Sequence, residues 1–158
     1  MKKVEVFFDY NCPYCLKGHN SLVQLLQEHP HLEVVWHPCE IYERPQNYPG
    51  MMHTDICIQG MFFAADNDVD LWDYHKKVYD LIFKERVNVE DINSFSNAFY
   101  GLLDADSLSQ ALKTGKYINN LKEANHYAFK VTGVEIVPTY RLDGGKLQDR
   151  QEFFRLPY

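Results

Sequence analysis

The sequence predicts an α/β fold that opens with a βαβ unit, turns helical in its middle and returns to β character near its end. Three observations carry that expectation. A β-rich apolar run, a helical pattern and a second β-rich run follow one another between residues 4 and 36. Strong β character returns only from Val134. Between them, from about residue 51 to 131, apolar side chains recur at helical spacing.

Val4 to Phe8 is nearly continuous in apolar character and rich in β-formers, which suits a strand buried on both faces. Asp9, Tyr10 and Asn11 form the connection. Pro13 then occupies a position where proline is welcome, the first turn of a helix. Leu16, Leu22, Val23, Leu25 and Leu26 supply the apolar face of that helix to about Glu28, and Pro30 stops it. Leu32 to Trp36 is the next strand, so strand, helix and strand form a parallel βαβ unit. Three prolines and a glycine between Pro38 and Gly50 read as a long loop. Leu71, His75, Val78 and Ile82 recur at helical spacing. Ile92, Phe95, Phe99 and Leu102 do so again, with Asn88 as the expected N-cap. Asp106 is expected to cap a short helix carrying Leu108, Ala111 and Leu112. A last helix, from Ile118 through Leu121 and Ala128, ends at Gly133. Val134 to Leu142 is read as a strand interrupted by Pro138, Asp143-Gly144-Gly145 as a hairpin turn, and Lys146 to Gln148 as the returning strand.

Composition excludes several classes. The chain of 158 residues suits one domain with a real core, and apolar residues make up 46% of it. Acidic residues outnumber basic ones 22 to 16, and the basic residues are scattered. No basic stripe of the kind a phosphate backbone requires is present, so no nucleic-acid partner is expected. The longest stretch without a charge, Ile92 to Leu103, is too short for a membrane span, which needs about 20 apolar residues. Glu5 and Asp9 break any leader-like apolar run near the N-terminus, so a cytoplasmic protein is expected. Four cysteines in that compartment are not a structural disulfide framework.

The chemistry concentrates in "NCPYC", residues 11–15. Cysteines at i and i+3 at the start of a helix share one face. The first sits where free backbone N–H groups and the positive end of the helix dipole stabilise an anion. Cys12 is therefore the candidate nucleophile and Cys15, one turn deeper, the candidate resolving thiol of a disulfide exchange. Pro13 and Tyr14, both uncharged, act on Cys12 only through backbone geometry and dipoles. Two other readings stay open for the pair. Both thiols could pack as small hydrophobes. They could also hold zinc, but Cys39 and Cys57 are not a second close pair, and His19 and His37 are the nearest histidines. Cys39 and Cys57 are expected to be ordinary buried thiols. Asp9 is read as a loop-capping carboxylate, with proton transfer from Cys15 as its alternative role.

The strand leading into "CPYC", together with "GVEIVPTYRLDGG" at residues 133–145, resembles the DsbA-like group of thioredoxin-fold proteins. That resemblance implies a thioredoxin-like fold with an inserted helical domain, residues 1–37 and 132–158 forming the core and 38–131 the loop and helical insertion. Val137-Pro138-Thr139 matches the position of the family's cis-proline. It implies that Pro138 packs near Cys12 and that the Val137 backbone pairs with an extended substrate. Pro13, Tyr14, Val137 and Pro138 are thus expected to contact substrate. The 126 positions between Cys12 and Pro138 match the DsbA-like plan rather than the compact glutaredoxins that share CPYC. "FFDYNCPYC" particularly resembles the FrnE-like branch, and the layout also resembles kappa-class glutathione transferases and 2-hydroxychromene-2-carboxylate isomerases.

The resemblance implies a thiol–disulfide oxidoreductase with no cofactor, acting on a disulfide-containing protein or a small thiol, with glutathione as a conceivable co-substrate. The alternative is a glutathione-dependent transferase or isomerase. Tyr14 stands where the secreted DsbA enzymes carry histidine. Only ten residues follow Gln148, so the closing helix of the fold is expected to be short or absent, and a homodimer could cover the exposed sheet face.

Overall fold

A computed structural model describes residues 2–158, which divide into two compact units. The first comprises residues 2–41 and 124–158, the second residues 42–123.

The first unit is built on a four-stranded sheet of order β2-β1-β3-β4. β1 (Lys2–Phe8) and β2 (Leu32–Pro38) run parallel, in register from Lys2 opposite Leu32 to Phe8 opposite Pro38. α1 (Pro13–Glu28) makes the crossover between them. β3 (Thr139–Leu142) pairs antiparallel with the other side of β1, and the two-residue β4 (Gln148–Asp149) pairs with β3. The alternation of β1 gives the sheet two different faces. Val4, Val6 and Phe8 are buried on one, with Leu22 and Leu25 of α1. The other carries Phe7 and the half-buried Glu5, whose carboxylate accepts from Arg141 Nε at 2.8 Å, His37 Nε2 at 2.9 Å and the Tyr127 hydroxyl at 3.3 Å.

α1 ends at Glu28, with His29 as its C-cap, because the residue before Pro30 is kept out of the helical region. The expected strand from Val134 shrinks to Thr139–Leu142. Gly133 has the left-handed φ of 81° that closes the preceding helix, and Pro138 has no N–H to give a ladder. The hairpin turn is where the sequence predicts it: Asp143 and Gly144 both have positive φ (49° and 70°), and the Gly145 N–H donates to the Leu142 carbonyl. Its returning strand starts two residues later than expected, at Gln148. The closing helix α7 (Arg150–Phe153) has four residues. A capping box between Asp149 and Glu152 starts it, and Phe153 stacks on Tyr140 with ring centroids 4.7 Å apart.

The second unit is helical. α2 (Asp55–Asp66) is buried almost all round, and α3 (Leu71–Phe83) is capped by Asp70 and buries Tyr74, Val78 and Leu81. α4 (Ile92–Asn97) and α5 (Ala105–Lys113) are shorter. Two expected caps are corrected. Asp91, not Asn88, caps α4, taking both the Ser94 N–H and the Ser94 hydroxyl at 2.8 Å, while Asn88 accepts from the Glu90 N–H in the turn before. Asp104, not Asp106, caps α5 through the Ser107 N–H and hydroxyl, and Asp106 falls in the first turn. Phe99 and Leu102 lie beyond the end of α4, yet Phe99 is fully buried, stacked on Tyr74 at 5.4 Å and edge-on to Phe95 at 4.9 Å. α6 (Ile118–His126) begins in this unit; its last three residues, and the π-helical turn Tyr127–Thr132 that continues it to Gly133, belong to the first. No helix is long and apolar enough to cross a membrane among the described residues.

A dithiol at the start of the first helix

Cys12 is the N-cap of α1, placed there by β1 and the connection after it. Its backbone is extended (φ −104°, ψ 117°), and Pro13 occupies the first helical turn. The Cys12 Sγ accepts the backbone N–H of Cys15 at 3.3 Å, in the manner of a capping serine. No acidic residue occupies the first turn of α1, so nothing there opposes an anion at the cap. The Cys12 thiol is lowered from 9.0 to about 6. The largest cause is a hydrogen bond from the Cys15 thiol, joined by the N–H groups of Cys15 and Tyr14, against the opposing effect of burial. Cys15 moves the other way: burial pushes its thiol far up, and the hydrogen bond and negative charge of Cys12 add to that. One thiol is thus poised as an anion and the other holds its proton.

The Val137–Pro138 peptide is cis and lies against this pair. The Val137 carbonyl stands 3.8 Å from Cys12 Sγ, in position to accept from the thiol. Thr139 Oγ1 donates to the Ile136 carbonyl at 2.7 Å and pins the loop. Tyr140 passes beneath α1, where its hydroxyl occupies the space a side chain at position 18 would need; Gly18 permits this approach. Cys12, Cys15, Val137 and Pro138 are therefore brought together, and Tyr14 stands beside them with 57% of its surface exposed. Two of the hollows beside the loop are lined by Val137. One, of about 300 Å³ and largely apolar, is lined by Ile41, Phe129, Glu135, Ile136 and Val137. The other, of about 200 Å³, lies between Tyr14, the Ile136–Pro138 loop and Arg150.

Asp9 is fully buried, and its carboxylate accepts the N–H of Tyr10 at 2.7 Å and of Ile41 at 2.8 Å. It holds the connection before Cys12 against the segment that leaves β2. Cys39 is fully buried with Phe7, Ala128 and Val134 and directs its thiol to the Phe8 carbonyl. Cys57 is buried on α2. His19 packs against Trp36, where burial lowers it to about 4, while His37, the next residue of β2, points to the opposite sheet face and Glu5. Among the described residues, no three His, Cys, Asp or Glu side chains converge as metal ligands. Sequence reasoning missed Lys17 and Arg150, whose cationic groups lie 5.2 and 5.5 Å from the Tyr14 ring centre. It also missed Tyr140; a glycine one turn after Cys15 was the available signal.

The DSBA-like thioredoxin domain profile matches residues 3–158. In three dimensions the chain is similar to a "probable DsbA oxidoreductase" from Streptomyces coelicolor, with TM-score 0.80 at 18% identity over 98% of this chain and 88% of that one. It is also similar to a 2-hydroxychromene-2-carboxylate isomerase, with TM-score 0.77 at 14% identity over 96% and 91% of the two chains. In sequence it is 23% identical to the protein YwbO of Bacillus subtilis (strain 168), over 87% of this chain and 84% of that one. At these identities the likenesses show a shared fold, and the profile match over nearly the whole length shows the family: this chain belongs to the DSBA-like thioredoxin domain proteins.

Proposed function

We propose that the protein is a thiol–disulfide oxidoreductase that works through Cys12 and Cys15. The observation that carries this reading is the opposite tuning of the two thiols, Cys12 lowered to about 6 at the helix cap and Cys15 raised by burial one turn below. The Cys12 thiolate attacks a substrate disulfide; a Cys12–substrate S–S bond forms as the substrate bond breaks, and the displaced sulfur leaves as a thiolate. Cys15 then attacks Cys12 Sγ, giving its proton to the departing substrate sulfur. The substrate ends as a dithiol and the Cys12–Cys15 pair as a disulfide. The reverse sequence oxidises a dithiol substrate. The Val137 backbone, beside Cys12, offers an edge for an extended substrate.

Cys12→Ser abolishes exchange, whereas Cys15→Ser accumulates the Cys12-linked mixed disulfide, read by mass under non-reducing conditions. Full activity in the Cys12→Ser protein contradicts the mechanism. The fold shared with 2-hydroxychromene-2-carboxylate isomerase, together with the largely apolar hollow beside Val137, favours a second reading. In it, Cys12 orients glutathione for transfer or isomerisation and Cys15 is dispensable, so activity that survives Cys15→Ser would support it.

A further inference from the structure

We infer that the site selects substrates that carry an acidic residue on one side of the reacting cysteine, bound by Lys17 and Arg150 at the Tyr14 ring. This rests on the proposed exchange chemistry. The cations come from different elements, Lys17 from α1 and Arg150 from the start of α7, where Arg150 also lines the smaller hollow, and both lie within 5.5 Å of the centre of one exposed ring, two residues from Cys12. Among the described residues, neither is ion-paired with a carboxylate, unlike Arg44, Lys76, Lys84 and Arg141. Asp149, which shares the hollow, has its carboxylate turned to the Glu152 N–H at 2.8 Å. In a chain of net charge −6, these two cations gather positive charge at the Tyr14 ring, at the edge of a hollow of about 200 Å³ that Arg150 and Asp149 both line.

The two hollows differ in kind, and Ile136 and Val137 line both. A strand paired along Val137 advances about 3.3 Å per residue, so residues within two positions of its cysteine reach both hollows. Side chains on one side of the cysteine meet Ile41 and Phe129. Those on the other meet Tyr14 and Arg150, where a carboxylate finds N–H donors of opposite charge.

The test uses Cys15→Ser protein and short peptides whose single cysteine carries an uncharged 2-pyridyl disulfide. The peptides differ only in Glu, Gln or Lys placed two residues before or after the cysteine. Cys12 attacks the peptide sulfur, the new S–S bond forms as the old one breaks, and pyridine-2-thione is released and followed by absorbance. Mass locates the adduct. At low salt the Glu peptide is expected to react about five-fold faster than its Gln counterpart, from one side of the cysteine only, with the Lys peptide slowest. The ratio falls toward one at high salt and in the Lys17→Gln/Arg150→Gln protein. Because the ratio is read, any general change in reactivity of that variant cancels. A ratio near one in the parent protein, or one that the double substitution leaves intact, overturns this inference alone. Absence of any adduct at Cys12 overturns the exchange chemistry and this inference with it.

Discussion

The pH dependence of Cys12 reactivity follows from the geometry of the helix cap. At a value of about 6 the thiol is about 90% thiolate at pH 7, against about 1% for one at the ordinary 9.0. A more stable thiolate is a weaker nucleophile. With a Brønsted coefficient of about 0.4–0.5, three units cost roughly 15- to 30-fold in intrinsic reactivity. The population gain of about ninety-fold therefore leaves a net advantage at pH 7 of roughly three- to six-fold over an unperturbed thiol. The sharper signature is the midpoint. The rate of exchange with a small uncharged disulfide, measured by stopped flow from pH 4 to 9, is expected to rise through a single step near 6 and stay flat above 7. Cys15 adds no second step because burial holds its proton throughout this range. Cys15→Ala, which removes the largest cause of the lowering, is expected to move the midpoint up. Linkage has a matching sign: a depressed group contributes stability above its unfolded value and loses it as pH falls through the folded one, so reduced protein loses the Cys12 contribution as pH falls toward 6. A wild-type midpoint near 8.5, or one that Cys15→Ala leaves unmoved, would refute the reasoning.

Gly18→Ala drives a Cβ into the Tyr140 hydroxyl, and the Tyr140 ring is fixed by Phe153 and Phe154. Overpacking of about 1–3 kcal/mol outweighs the helix gain of about 1 kcal/mol from replacing glycine, so urea unfolding is expected to show a net loss. In a Tyr140→Phe background that loss is expected to shrink, because the colliding oxygen is gone; an undiminished loss contradicts the packing account. Glu5→Ala removes the acceptor shared by Arg141, His37 and Tyr127, and a cost of about 1–3 kcal/mol is expected, since the Arg141 side chain, 20% exposed, keeps some solvent. Arg141 holds the Glu5 carboxyl below its ordinary 4.5, so its contribution is complete above that pH and lost as pH falls through the folded value. Urea midpoints of the wild-type protein should drop across that acid window, and those of the variant should drop less.

The βαβ unit, the helical middle and the placement of the dithiol were legible because each rests on local chemistry. Val4–Phe8 and Leu32–Trp36 are apolar runs of strand length, Pro13 is a helix-start signal, and Gly133 a stop. The caps were less legible. Asn88 and Asp91 are equally good capping residues in sequence, and the cap fell to Asp91, whose serine three residues on returns both an N–H and a hydroxyl; Asp104 and Asp106 each have a serine at that spacing, so the sequence does not choose between them. The expected strand from Val134 was too long because apolar content does not reveal where a ladder stops, and here Pro138 sets that point. Lys17 and Arg150 were invisible as a pair. They lie 133 positions apart, and only the fold of α7 back toward α1 brings both to Tyr14. Glu5 carried a signal that was not used: a lone carboxylate amid buried Val4, Val6 and Phe7 implies a partner on a neighbouring strand, and Arg141 supplies it.

Redox titration of the native chain reaches the central claim most directly. The protein is equilibrated across glutathione buffers, free thiols are trapped by alkylation, and the modified cysteines are located by mass. Cys12 and Cys15 are expected to lose their thiols together in one two-electron transition that reverses, while the buried Cys39 and Cys57 stay reduced. Cys12 and Cys15 remaining as separate thiols at every poise, or Cys12 taking up glutathione while Cys15 stays free, would contradict an oxidoreductase working through this pair.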